Sequence, residues 1–246
     1  MKRFENKVVF ITGGSKGIGA AIVKRFAQEG ASVVFTYGSS ADEANSVVAE
    51  IIAAGGQGQA VVADSGDPVA LTAAIRNVIA EKGKIDILVN NAGMIYKKAF
   101  ELYTLEEYDH IMAVNVRAAY IAAQAVLEQM PAGGRIITIG SNMADNAIGP
   151  YTTLYTMSKA ALQGFNRGLA RDLGPKGITV NLVQPGPIDT GMNPANTELA
   201  DFLRSRMALA EYGDVDDVAG LVAFLASDEG KYITGTSITI DGGLNA

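Results

Sequence analysis

The stretch that decides the fold is residues 8–19, which read Val8-Val9-Phe10-Ile11-Thr12-Gly13-Gly14-Ser15-Lys16-Gly17-Ile18-Gly19. Its first four residues form a continuous apolar run, as is typical of a strand buried on both faces of a parallel sheet. A glycine-rich turn follows, and apolar residues at 18, 22 and 26 then repeat at helical spacing. A strand, a glycine turn and a helix in this order let the backbone approach a pyrophosphate at the helix N-terminus. Tight chain reversal alone would also explain these glycines, because their spacing departs from the Gly-x-Gly-x-x-Gly fingerprint.

The same alternation of short apolar runs and helical patterns continues along the chain. It predicts further strands at residues 33–35, 60–63, 85–89, 135–139 and 179–183, and helices at residues 18–28, 42–54, 69–81, 105–130 and 155–173. Strands that alternate with helices form βαβ units with right-handed crossovers. No linker or internal repeat interrupts the pattern. The sequence therefore predicts one α/β domain over residues 1–246, with a Rossmann-like, doubly wound parallel sheet and helices on both faces.

Residues 187–212 depart from the alternation. The segment follows Pro185-Gly186 and contains an amphipathic stretch, in which Leu199, Phe202, Leu203 and Met207 are expected on one face. A surface helix over the sheet edge would explain this pattern. A substrate lid would explain it equally well, because segments after the carboxyl ends of strands lie over the ligand crevice of such sheets.

Composition excludes several classes of function. The 246 residues include no cysteine and one histidine, so disulfides, thiol nucleophiles, thiolate zinc sites and multi-histidine metal sites are ruled out, and we predict no metal site. A net charge of −6 without a basic run makes nucleic acid and anionic membranes poor partners. The apolar run at residues 8–11 is too short for a signal peptide, and no run approaches the roughly 20 residues that span a bilayer. We expect a cytoplasmic protein.

Several motifs occur in one order along the chain. They are Thr12-Gly13 with Gly17 and Gly19, Asn90-Asn91-Ala92-Gly93, Asn115, Ser141, Tyr155 with Lys159, Pro185-Gly186 and Ile240-Asp241-Gly242-Gly243. In this order and spacing the chain resembles the short-chain dehydrogenase/reductase family from end to end. Tyr-x-x-x-Lys alone would be a weak signal, but the motifs in register are a specific one.

The resemblance implies a set of site residues. The catalytic residues would be Asn115, Ser141, Tyr155 and Lys159. The residues that bind the cofactor would be Gly13, Ser15, Lys16, Gly17, Ile18, Gly19, Tyr37, Ser39, Ser40, Asp64, Ser65, Asn91, Ala92, Gly93, Tyr155, Lys159, Pro185, Gly186, Ile188 and Thr190. The substrate pocket would include Met94, Ile95, Met143, Tyr151 and Met192, with apolar neighbours Ile148, Leu154 and Met207.

Tyr155 and Lys159 lie one helical turn apart, so they share a helix face. A lysine cation at ~4 Å, with an effective dielectric of ~20, stabilises tyrosinate by about 4 kcal/mol. That corresponds to a pKa about 3 units below the usual 10, although burial would raise it again. The resemblance also implies that Lys159 binds the nicotinamide ribose and that Asn115 holds a water that relays protons. From the residues alone, Asn115 could equally pair with backbone inside its helix.

The cofactor expected is NADP(H). No carboxylate ends the second strand, where NAD-binding folds place one, and the first acid is Asp42 in the next helix. Lys16, Ser39 and Ser40 offer a cation and hydroxyls to a 2′-phosphate, unless Lys16 is only a solvated surface charge. The resemblance implies that Asp64 binds the adenine amino group, but it could equally cap the next helix, where Asp67 is the better cap.

The function predicted is NADPH-dependent, reversible reduction of a small, mostly apolar ketone to a secondary alcohol. One alternative is a 3-oxoacyl-(acyl carrier protein) reductase. A second, of another class, is a regulator that binds a cyclic dinucleotide, because residues 181–190 and 193–196 resemble a bacterial branch of the family linked to cyclic di-GMP and biofilm dispersal. The family also implies a homotetramer. His110 is expected to be a solvated residue on a helix surface.

Overall fold

The computed structural model of the chain describes residues 2–246. Its sheet consists of the strands β1 (Val8–Ile11), β2 (Ser32–Tyr37), β3 (Gln57–Val62), β4 (Ile87–Asn90), β5 (Arg135–Ile139), β6 (Thr179–Pro185) and β7 (Ser237–Ile240). The strands are all parallel and lie in the order β3-β2-β1-β4-β5-β6-β7. This order confirms the predicted doubly wound sheet. The strand order reverses between β1 and β4, where ligands bind in such folds.

Helices cover both faces of this sheet. They are α1 (Gly17–Gln28), α2 (Ala41–Ala53), α3 (Pro68–Lys82), α4 (Leu105–Met112), α5 (Ala118–Val126), α6 (Thr153–Leu173), α7 (Glu198–Arg204) and α8 (Val215–Ala226). On one face Ile22 and Phe26 of α1 pack with Val222 of α8. On the other face Leu71 of α3 packs with Ala122 of α5. The continuous apolar strands are therefore buried from both sides, as their composition predicts.

The helix predicted near residues 105–130 is present as a continuous helical run over residues 105–126, which a π-helical turn divides into two α-helices. A capping box on Thr104 and Glu107 starts α4, a π-helical turn at Ala113–Arg117 interrupts the helical pattern, and α5 ends at Val126. An inserted turn of this kind does not disturb the apolar pattern enough to be visible in the sequence. Helix α8 was not predicted, and β3 begins at Gln57 because the whole edge strand pairs in register with β2.

The segment 187–212 contains one short helix, α7. Leu203 and Met207 are buried together with Leu244, whereas Leu199 and Phe202 are 47% and 49% exposed. The prediction that all four share one face is wrong, because α7 ends at Arg204 and Met207 lies beyond it. No helix within residues 2–246 has the length together with the hydropathy that a membrane crossing requires.

Candidate active site

The predicted site residues converge at the carboxyl ends of four adjacent strands. Thr12 follows β1, Asn91 follows β4, Ser141 comes just after β5, and Gly186 follows β6. These segments meet because parallel strands present their carboxyl ends at one edge of the sheet. Residues about 170 positions apart in the chain are brought together in this way.

The glycine turn between β1 and α1 has little room for side chains. Gly13 and Gly17 have φ angles of +68° and +51°, a region that strongly favours glycine. A Cβ atom on Gly19 would lie 2.1 Å from the Gly13 carbonyl oxygen and 2.5 Å from Asn91 Nδ2. The Asn91 amide donates to the carbonyls of Thr12 and Gly13, which joins the turn to the loop after β4.

The N-terminus of α1 is open to an anion. Lys16 occupies the N-cap position, and no side chain caps the helix there. The first N–H groups of a helix have no partner within the helix, and its dipole favours negative charge at this end. A Cβ atom on Gly17 would lie 3.4 Å from Thr190 Cγ2, so the loop after β6 approaches the same turn. The N–H groups at the start of α1, next to glycines without side chains, fit the pyrophosphate of a dinucleotide.

The surroundings of Lys16 correct one element of the cofactor argument. Its Nζ lies 2.7 Å from Glu43 Oε1, in the first turn of α2, and both side chains are largely exposed. The Lys16 cation lowers the pKa of Glu43. A carboxylate that the sequence did not predict therefore lies beside Lys16, the cation expected to bind a 2′-phosphate. Ser39 is exposed, and the Ser40 side chain does not cap α2, so both hydroxyls are available nearby.

Asp67, and not Asp64, caps the helix that follows β3. Asp67 caps α3 by accepting hydrogen bonds from the backbone of Val69 and Ala70. Asp64 is exposed, and among residues 2–246 its carboxylate accepts a hydrogen bond only from the backbone of Gly66, within its own turn. Asp64 is therefore not a helix cap, and its exposed carboxylate is available to a ligand.

Tyr155 and Lys159 lie on one face of α6, with Lys159 Nζ 5.8 Å from the centroid of the Tyr155 ring. Lys159 is 4% exposed, and its ammonium group donates to the carbonyl of Ile139 at 2.9 Å. The Ser141 hydroxyl accepts from the backbone of Met143, which leaves its proton free to point into the site. The three side chains form a compact cluster at the ends of β5 and α6.

The pKa values of this pair differ from the expectation. Burial raises the pKa of Tyr155, and the Ser141 hydrogen bond lowers it by less. Burial also lowers the pKa of Lys159 to about 8. The expected fall in the Tyr155 pKa is not found, because burial of the phenol raises the pKa and the lysine ammonium bonds the Ile139 carbonyl. The lowered pKa of Lys159, about 8, is caused by its burial.

Asn115 lies in the π-helical turn, and protein groups use both of its amide protons. Its Nδ2 donates to the Met94 carbonyl and to the Ser158 hydroxyl, both at 2.9 Å, and its Oδ1 accepts from the Met94 backbone at 2.8 Å. Ser158 in turn donates to the carbonyl of Tyr155. The side chain thus connects the loop after β4 to the turn of α6 that carries the phenol. This is the backbone-pairing role that the residue pattern had left open.

The residues predicted for the substrate pocket are not all exposed to the same degree. Met94, Ile95 and Met143 are half-buried, and Tyr151 and Met192 are 58% and 56% exposed. Three others are core residues: Leu154, Ile188 and Met207. Leu154 is buried in the first turn of α6, and Met207 packs with Leu203 and Leu244. Ile188, predicted to bind cofactor, packs against the core beside Val218. Only its backbone is available at the site.

Tyr103 bridges two loops around the site, a contact that the sequence did not predict. The Tyr103 hydroxyl lies 3.1 Å from the carbonyl of Tyr96 and 3.0 Å from that of Tyr151, which joins the loops before α4 and α6. Tyr151 has a φ of +69°. His110 is exposed, as predicted, but it also hydrogen-bonds the Tyr96 hydroxyl. No local pattern signals these contacts, since each joins loops that only the fold brings together.

Comparison with known proteins identifies the family. A family model described as enoyl-(acyl carrier protein) reductase matches residues 13–245. The chain belongs to the short-chain dehydrogenase/reductase family. A short-chain dehydrogenase from Burkholderia cenocepacia J2315, solved in complex with NADP, is 51% identical and superposes with a TM-score of 0.97 over 99% of this chain and 100% of that one.

Two curated relatives of this chain carry different names. The cyclic-di-GMP-binding biofilm dispersal mediator protein of Escherichia coli K12 is 46% identical over 247 residues, and the alignment covers all of both chains. The 3-oxoacyl-(acyl carrier protein) reductase of Staphylococcus aureus Mu50 is 36% identical over 242 residues, or 97% of this chain and 98% of the relative. The family is therefore clear, whereas these names point to different ligands.

Proposed function

We propose that this chain is an NADPH-dependent reductase of small, mostly apolar ketones, and that the reaction is reversible. The observation that carries the proposal is the buried ammonium of Lys159 on the same helix face as the Tyr155 phenol, beside the Ser141 hydroxyl. Burial lowers the pKa of Lys159 to about 8 beside a phenol, and groups with shifted pKa values of this kind cluster at catalytic sites, which supports a role in proton transfer.

Residues of the glycine turn and its neighbours would hold the cofactor. The open N-terminus of α1 would bind the pyrophosphate, and Lys16 with Ser39 and Ser40 would receive the 2′-phosphate once Lys16 leaves Glu43. Asp64 would bind the adenine amino group. The NADP bound by the Burkholderia relative supports this cofactor. When bound, NADPH supplies the hydride, and the protein has to orient the carbonyl and provide a proton.

Tyr155 would donate its proton to the substrate oxygen as negative charge develops there. Its raised pKa keeps the phenol protonated in the free protein, ready to act as the acid. Ser141 would donate a second hydrogen bond to the same oxygen and stabilise the developing charge. Lys159 would favour the tyrosinate left behind, and Asn115 would hold the Met94 segment beside the cluster.

The substrate class follows from the side chains around the cluster. Met94, Ile95 and Met143 offer apolar and adaptable contacts, and Met192 adds an exposed one. A 3-oxoacyl chain on an acyl carrier protein would also suit them, and the Staphylococcus relative bears that activity in its name. The net charge of −6 gives no support to docking of an acidic carrier, so a free ketone is the better candidate.

A regulatory function is the second candidate, and the name of the Escherichia coli relative favours it. The same pocket would then bind a cyclic dinucleotide. NADPH oxidation against a panel of ketones, β-keto esters and quinones, together with a fluorescence titration with cyclic di-GMP, separates the candidates. Turnover of an apolar ketone supports the reductase. Tight cyclic di-GMP binding with no oxidation across the panel would overturn it.

Location and assembly complete the proposal. We place the protein in the cytoplasm, and we propose a homotetramer that uses the exposed side of the edge strand β7, where Ser237, Ile238 and Ile240 are only half-buried. Light scattering tests the assembly, and a monomer at micromolar concentration would contradict it.

A further inference from the structure

The turn formed by residues 241–245 contacts the catalytic segment from the opposite end of the chain. The Asp241 carboxylate holds the turn by accepting hydrogen bonds from the backbone N–H groups of Gly243 and Asn245, both at 3.0 Å. The turn therefore has a defined shape that does not depend on the Asn245 side chain.

The side chain of Asn245 binds Asn142, the residue that follows Ser141. Asn245 Nδ2 donates to the Asn142 carbonyl at 2.8 Å, and Asn245 Oδ1 accepts from Asn142 Nδ2 at 3.3 Å. Asn142 is 2% exposed, and the only other acceptor of its amide protons within residues 2–246 is Asp241, at 3.4 Å. A buried amide that loses its partners bears a desolvation cost, so this pairing restrains the backbone next to Ser141.

The same turn touches two further parts of the site. A Cβ atom on Gly186 would lie 2.3 Å from Asp241 Cβ, so the loop after β6 runs directly against the turn. The Leu209 backbone donates to the Gly242 carbonyl at 2.9 Å, and Leu244 is buried with Leu203 and Met207 of the segment 187–212. The turn thus contacts the serine segment, the predicted cofactor loop and the predicted lid.

We propose that Asn245 is a positioning residue for Ser141, which acts through Asn142 and ties the serine segment to the turn that packs against the 187–212 segment. The inference rests on the proposed reductase function, because it assigns Ser141 a hydrogen bond to the substrate oxygen. Asn245 itself does not contact the reacting atoms. Its effect is on the orientation of a donor, so turnover depends on it more than cofactor binding does.

The test compares Asn245→Ala with Asn146→Ala. Both remove an asparagine amide next to the same segment, but the Asn146 side chain is exposed and makes no hydrogen bond within residues 2–246, which makes it the matched control. In Asn245→Ala the backbone hydrogen bonds to Asp241 remain, so the turn should persist. We expect kcat for ketone reduction to fall about 5- to 10-fold, as the loss of one or two hydrogen bonds implies. The NADPH KM and the pH profile of kcat/KM should stay at the wild-type values, whereas the melting temperature should fall because the buried Asn142 amide loses partners.

A second readout does not depend on turnover. Backbone hydrogen bonds hold residues 144–146 against Ser141 and Asn142, and hydrogen exchange of these amides should be faster in Asn245→Ala than in Asn146→Ala. An Asn245→Ala variant with wild-type kcat and wild-type exchange would overturn the inference while the reductase stands. A wild-type protein that reduces no ketone, with faster exchange only in Asn245→Ala, would instead overturn the proposed reductase and leave the contact intact.

Discussion

The glycine turn and the catalytic cluster of this protein are built in opposite ways. In the turn, the positive φ angles of Gly13 and Gly17 and the close contacts around Gly19 leave no room for side chains at these positions, and the open end of α1 lies within the same few residues. In the cluster, Ser141, Tyr155 and Lys159 are held by contacts over long sequence distances, such as Asn115 with Met94 and Asn142 with Asn245. Substitutions that add a side chain should therefore disrupt the turn, whereas substitutions that remove side-chain groups should disrupt the cluster.

The largest effect is expected from Tyr155→Phe. Removal of the phenol hydroxyl deletes the proposed proton donor without adding volume, so kcat should fall by about 10²–10⁴-fold. NADPH binding, measured by fluorescence titration, should be retained because the glycine turn is untouched. More than a few per cent of residual turnover would show that another group donates the proton.

The glycine turn should be disrupted by Gly19→Ala, which adds atoms where Tyr155→Phe removes one. A methyl group at this position would collide with the Gly13 carbonyl and the Asn91 amide, so the turn has to shift. We expect loss of measurable NADPH binding and a decrease of about 1–3 kcal/mol in the free energy of unfolding. Gly168→Ala in α6 is the control, since a Cβ atom there meets nothing within 4 Å. Unchanged NADPH affinity in Gly19→Ala would separate the turn from cofactor binding.

Lys159→Met should stabilise the cofactor-free protein while abolishing turnover. The pKa of Lys159 is lowered from 10.5 to about 8, so the unfolded chain binds the extra proton between these values. The buried charge therefore destabilises the fold most below about pH 8, and the penalty disappears as pH rises toward about 10.5. The excess melting temperature of the variant should be largest at pH 7 and shrink by pH 10. A constant difference across this range would contradict the assigned pKa.

The smallest effect concerns Glu43→Gln. This change frees Lys16 from an exposed ion pair, which is worth about 0–1 kcal/mol, and removes a negative charge near the 2′-phosphate. The KM for NADPH should fall about 2- to 5-fold and the KM for NADH should hardly change. Glu50→Gln is the matched control, because Glu50 lies on α2 like Glu43 and forms a similar exposed ion pair with Lys24 of α1. Equal effects from the two variants would exclude a specific role for Glu43.

Most of the sheet and the first helices could be predicted from the sequence, because a buried parallel strand and an amphipathic helix each leave a local periodic pattern. The pattern failed where one residue changes the helical repeat, as in the π-helical turn around Asn115. It also failed in the segment 187–212, where apolar spacing suggested one face but the helix ends at Arg204. In both places the deciding contacts come from other elements.

The sequence by itself determined the class of fold, the glycine turn and the identity of the residues around Tyr155, because these depend on residue type and on spacing within a single strand, turn or helix. Only the tertiary structure decided what those residues face. Three contacts join separate parts of the chain: Lys16 with Glu43, Lys159 with the Ile139 carbonyl, and Asn142 with Asn245. The physical reason is that the charge of a side chain is inherent in its chemistry, whereas its pKa and orientation are set by burial and by partners that only folding supplies.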